Sequence, residues 1–136
     1  MYSYSRNIQY YETDKMGIVH HSNYIRLFEE ARCAFLSNVQ LDFAYIESLG
    51  LMCPVVEVSC RYKRPLSFGD TASVETELKV FNGARMEFEY KVFNQRADEC
   101  AEGTSLHCFT DNSMKPVLLR HANPELYDKF IKAFKL

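Results

Sequence analysis

The chain has 136 residues, 16 Lys and Arg against 18 Asp and Glu for a formal net charge of −2, and 47% hydrophobic residues. That length suits one domain, residues 1–136, with an ordinary core that needs no staples. No basic block interrupts the near-neutral sequence, so nothing in the charge pattern supports binding to nucleic acid or to an anionic membrane.

The order of elements is strand, helix, then strands. Residues 3–10 alternate well enough for a first strand, with Tyr2, Tyr4, Ile8 and Tyr10 on the face that also carries Arg6, which places Arg6 near a sheet edge. From Ser22 onward Tyr24, Leu27, Phe28, Ala31 and Phe35 recur at steps of three and four, predicting a main helix over 22–39 with Ser22 or Asn23 as its cap. A shorter helical turn over 41–49 ends at Gly50.

After it come strand signals. Residues 54–63 alternate Val56, Val58, Cys60 and Tyr62 against Val55, Glu57, Ser59 and Arg61, the pattern of a strand with one face on the core. Residues 71–81 place Ala72, Val74, Thr76, Leu78 and Val80 on one face, and residues 85–93 do the same with Met86, Phe88, Tyr90 and Val92. Asn82-Gly83 between them signals a hairpin. A further strand over 100–109 carries Ala101, Gly103 and Ser105 on one face, small enough for something to pack closely. A C-terminal helix over about 123–135 begins with Asn123-Pro124, and its stripe of Leu126, Tyr127, Phe130 and Phe134 is expected to lie on the body of the protein. One helix followed by a long antiparallel sheet is an α+β layer pattern.

The five cysteines, Cys33, Cys53, Cys60, Cys100 and Cys108, are odd in number and lack Cys-x-x-Cys spacing. They read as reduced and mostly buried thiols, with neither a disulfide framework nor a zinc site, and they suggest a cytoplasmic protein. The N-terminus shows no charged-then-apolar signal, and no apolar run approaches the ~20 residues that span a bilayer, so a soluble chain without membrane insertion is expected.

The densest chemistry lies in residues 10–24, Tyr-Tyr-Glu-Thr-Asp-Lys-Met-Gly-Ile-Val-His-His-Ser-Asn-Tyr, which join a carboxylate, a glycine and two histidines to a helix start. Gly17 allows the chain to reverse, bringing Asp14 towards the first-turn amides of the helix, where an oxyanion would be stabilised. A thioester carbonyl needs such donors and a nucleophile or activated water, while its thiolate, with a pKa near ~8.5, leaves without much help. There is no Gly-x-Ser-x-Gly turn of a serine hydrolase. By residue type alone Asp14 more often caps a turn, an isolated histidine such as His21 more often satisfies a backbone carbonyl, and Tyr10 equally packs in a core.

The run Tyr10, Thr13-Asp14, Gly17, Val19, His21, Tyr24, Glu29, Ala31-Arg32, followed by Tyr62, Pro65 and Asp70, resembles the signature of hotdog-fold acyl-CoA thioesterases of the 4-hydroxybenzoyl-CoA thioesterase type, including the Tol–Pal-associated bacterial relatives. The resemblance covers residues 10–70 in motifs and extends to about residue 111 in strand pattern. It implies a hotdog fold, a long helix wrapped by an antiparallel sheet, and hydrolysis of an acyl- or aroyl-CoA to the free acid and CoA. It also implies that Asp14 acts as nucleophile or general base, that the backbone amide of His21 polarises the carbonyl, and that Tyr10 flanks the aspartate. Gly17, Val19 and Tyr24 would line the substrate site. Coenzyme A enters as substrate, no metal or other cofactor is implied, and a homodimer or homotetramer would share sites across its interface.

Arg61, Lys63 and Arg64 form the only dense basic trio, either a contact for coenzyme A phosphates or a solvated strand end. Glu29 and Arg32, three apart on one helix, would pair with each other or line the site. Two alternatives remain open at this point: a hotdog hydratase or dehydratase on acyl thioesters, and a non-catalytic acyl-CoA-binding protein.

Overall fold

The computed structural model describes residues 1–136. A long helix, α1 (Ser22–Asn38), lies across a five-stranded antiparallel sheet of strands β1 (Tyr2–Asn7), β3 (Val55–Tyr62), β4 (Thr71–Phe81), β5 (Arg85–Phe93) and β6 (Glu99–Cys108). The strand order is β1-β4-β5-β6-β3, so β1 and β3 are the edges. A short helix, α2 (Phe43–Ser48), leads from α1 to β2 (Leu51–Met52), which pairs with β7 (Thr110–Asp111) as a separate ribbon. Two C-terminal helices, α3 (Leu119–Ala122) and α4 (Pro124–Phe134), close the chain.

The core forms where the periodic faces meet. Leu27, Phe28, Ala31 and Leu36 of α1 are buried against Met86, Phe88, Tyr90 and Val92 of β5, and Phe28 stacks on Tyr90 at 4.5 Å between ring centres. The small face of β6 permits this approach. A side chain at Gly103 would run into the Ser59 carbonyl oxygen and the Phe28 ring. The stripe of α4 docks as expected: Leu126 and Phe130 are buried, Phe130 stacks on Phe81, and the Asn123 side chain caps the helix by accepting from the Leu126 amide at 3.0 Å.

Several expectations are corrected. The first strand stops at Asn7, and Tyr10 begins a 3-10 turn through Glu12, which is held by a capping box between Gln9 and Glu12. A bulge between Leu78 and Val80 slips the alternation of β4, so Val80 turns outward while Phe81 turns in to meet Phe130. β3 lacks the buried face its alternation predicts, since Val55, Val56, Val58 and Tyr62 are all exposed at the sheet edge and only Cys60 is half-buried against the core. Of the free cysteines, Cys100 is buried and the other four are half-buried.

Candidate functional site

The site begins with a clamp. Arg6, on the edge strand β1, donates from Nη1 and Nη2 to the two carboxylate oxygens of Glu12, each at 2.6 Å, and from Nε to Glu30 of α1. Glu12 is only 3% exposed, and its pairing with Arg6 holds its carboxyl below the usual value. The Glu12 carbonyl accepts from the Asn23 side chain at 2.8 Å and from the His20 amide at 2.9 Å. One buried glutamate thus ties the loop before the helix to the strand on one side and to the first turn of α1 on the other.

This explains why neither Ser22 nor Asn23 caps α1. The Asn23 side chain turns inward to Glu12, and the Ser22 hydroxyl bonds the His20 ring instead. The helix start is satisfied from behind. His20 N–H goes to Glu12, Ser22 N–H to His20 Nδ1, Asn23 N–H to His20 O and Tyr24 N–H to His21 O. The His21 amide, in their midst, has no acceptor within the chain.

Between the clamp and the helix the chain reverses. The Asp14 carbonyl accepts from Gly17 at 2.9 Å, with Gly17 at a φ of 83°, and Asp14 Oδ1 accepts from the Met16 amide at 2.8 Å. Glycine suits this left-handed position, and the aspartate orders its own turn. Asp14 then lines a cavity of about 330 Å³ together with His21, Tyr24, Tyr62, Lys63 and Arg64. Val19 and Tyr24, 4% and 3% exposed, form its inner wall, and burial pushes the Tyr24 phenol up to about 12. An aspartate, a histidine whose backbone amide is free, apolar walls and two cationic residues therefore line one small cavity.

Tyr62 is a site residue that sequence reasoning did not select. Its hydroxyl donates to the His21 carbonyl at 3.1 Å, and its ring packs edge-on against Tyr24 at 5.0 Å, so it braces the peptide that follows the free His21 amide. The motif Tyr-x-x-Pro was the available signal. Glu12 gave one too, as an acidic residue three after a capping position.

Three anticipated residues lie elsewhere. Tyr10 is 75% exposed and packs edge-on against Phe68 outside the cavity, because the 3-10 turn carries it away from the strand face. Gly17 makes the turn without lining the cavity. Arg61 faces a different groove on the sheet, beside Glu89, Lys91 and Thr104, whereas Lys63 and Arg64 follow the end of the strand into the cavity. Lys63 is already engaged, bridging Glu99 at 3.1 Å and Glu102 at 3.3 Å. Glu29 and Arg32 do not pair: Arg32 turns inward to the Tyr90 hydroxyl, and the helix carboxylate that takes an arginine is Glu30, bonded to Arg6.

Comparison with known proteins places these features in a family. Residues 8–132 match the model of the Thioesterase-like superfamily, well past the reach of the motifs. The chain is 35% identical over 129 residues, 94% of both chains, to YneP of Bacillus subtilis, whose name carries acyl-CoA thioesterase as a provisional assignment. It is 27% identical over 105 residues to the 1,4-dihydroxy-2-naphthoyl-CoA hydrolase of Thermosynechococcus vestitus, covering 76% of this chain and 72% of the other. Among solved structures, a DHNA-CoA thioesterase from Staphylococcus aureus superposes with a TM-score of 0.90 at 26% identity, over 96% of this chain and 88% of that one.

Proposed function

We propose that this chain, which belongs to the Thioesterase-like superfamily and is a thioester hydrolase, cleaves an acyl- or aroyl-CoA to the free acid and CoA with Asp14 and the His21 amide as its reacting groups. One observation carries this reading: Asp14 and His21, the N-cap residue whose backbone N–H has no acceptor within the chain, line the same cavity. The thioester carbonyl oxygen would accept from His21 N–H as negative charge develops there. Asp14 attacks the carbonyl carbon or takes a proton from the attacking water, and the thiolate of CoA departs. Tyr62, bonded to the His21 carbonyl, holds the backbone of His21 from its C-terminal side. Tyr10 takes no part in this scheme.

The nucleotide end of coenzyme A meets Arg64, the cation of the cavity that has no carboxylate partner, with Lys63 contributing less. The proposed homo-oligomer is supported by β3. Its outer edge is unpaired and apolar, a liability that pairing with a second copy removes while roofing the cavity beside Tyr62. The test is release of free thiol from a panel of short, long and aromatic acyl-CoAs. Turnover of at least one of them is expected, and no release from any would refute the reading.

A further inference from the structure

The seam between α1 and β3 holds more than the cavity at Asp14. One turn along the helix from Tyr24, a smaller cavity of about 120 Å³ lies between Ile25, Phe28 and Arg32 on one side and Val55 and Val58 on the other. Beyond it, Arg32 and Val55 also border a third of about 430 Å³. The three succeed one another in matching order along helix and strand, the middle and third sharing Glu29, Arg32 and Val55, and we read the series as a trough leading away from Asp14.

Arg32 lines the middle of this trough. It is 5% exposed, its Nη1 donates to the Tyr90 hydroxyl at 3.0 Å, and its Nε is buried with no acceptor. None of the ion pairs of the chain includes it. The bonds behind it run one way. The Cys53 carbonyl only accepts, so His107 Nδ1 carries the proton; Nε2 then accepts from Ser105, which accepts from Tyr90, which accepts from Arg32. Burial and the nearby Arg32 charge push His107 down to about 4, so every member behind the guanidinium is neutral at pH 7. A buried cation with no counter-charge is costly, and an anion placed against it recovers much of that cost. Arg26 adds a second cation to the middle cavity, and Glu29 adds one carboxylate, exposed and therefore screened.

We propose that the middle cavity takes a carboxylate at the far end of the acyl group, which makes CoA monothioesters of dicarboxylic acids substrates of this enzyme and Arg32 the residue that selects them. The apolar walls, Ile25, Phe28, Val55 and Val58, carry the intervening methylenes. The inference rests on the reading of the Asp14 cavity as the thioester site.

The experiment compares kcat/KM for adipoyl-, suberoyl- and sebacoyl-CoA with that for hexanoyl-, octanoyl- and decanoyl-CoA and their ω-hydroxy counterparts. At the best chain length the carboxylate-ended substrate should exceed the methyl-ended one by about tenfold or more, chiefly through KM, because the contact is remote from the reacting carbon. Arg32→Met should bring that ratio to about one. Glu29→Gln, an exposed change that leaves the buried network whole, should raise it by removing a like charge. If Arg32→Met fails to fold by thermal unfolding, Arg32→Gln, which removes the charge but keeps a donor for the Tyr90 hydroxyl, and Glu29→Gln decide. An unaltered ratio in Glu29→Gln together with an unaltered ratio in the arginine variant that folds overturns the inference. So does wild-type preference for the methyl-ended or hydroxyl-ended series. Hydrolysis of methyl-ended substrates without carboxylate preference overturns this inference alone, whereas no hydrolysis of any CoA thioester refutes the thioesterase reading as well.

Discussion

Lys63 and Arg64 are neighbours in sequence and in the same cavity, yet their charges are not equally available. The Lys63 ammonium is answered by Glu99 and Glu102 across the strand end, while Arg64 has no carboxylate against it. Phosphate contacts hold substrate and transition state about equally, so they act on KM more than on kcat. Arg64→Ala should therefore raise KM for an acyl-CoA several-fold at low ionic strength, Lys63→Ala should raise it less, and both effects should shrink with salt. A truncated pantetheine thioester, which carries no nucleotide, should respond to neither. An unchanged KM in Arg64→Ala at low salt would mean that the phosphates lie elsewhere or in water.

Among the elements, the loop from Ile8 to His21 is tied to the edge strand chiefly through Arg6. Arg6 answers Glu12, and Glu12 is buried, so Arg6→Met would leave an unpaired charge in the interior, at a cost of about 3–5 kcal/mol. The pH dependence has a definite sign. The Glu12 carboxyl is held below its usual value by Arg6, so its contribution is full above the unfolded value near ~4.3 and is lost as pH falls through the folded value. Urea unfolding of wild type should weaken below about pH 4, with a shallower slope in Arg6→Met. Equal stability of the two proteins at pH 7 would contradict the clamp.

This is also the scale at which the sequence was most and least informative. α1, β5 and the docking stripe of α4 were legible because each announces itself in its own period, and β4 was legible up to Leu78, where one bulge residue reverses the pattern without a local signal. The turn at Asp14 was legible from Gly17. The clamp was not, because Arg6, Glu12, Asn23 and Glu30 meet only after strand, loop and helix have packed. The alternation of β3 has the period of a core strand, yet the burial it encodes is not supplied within one protomer.

For the whole molecule, the free outer edge of β3 is where the proposed second copy would pair. Val55, Val56 and Val58 stand exposed on an edge whose other neighbour is β6, and a second copy would cover them and the trough together. Light scattering should give at least twice the chain mass of 15.9 kDa, and Val56→Lys should lower the assembled fraction. A fully active monomer at assay concentration would remove the partner from this account. The catalytic core of the account is tested by thiol release from an acyl-CoA substrate with wild type and Asp14→Asn, alongside thermal unfolding of both. A shape-matched change removes the nucleophile or base alone, so turnover should fall by at least ~100-fold with the unfolding midpoint unmoved. Undiminished thiol release from a folded Asp14→Asn protein would contradict it.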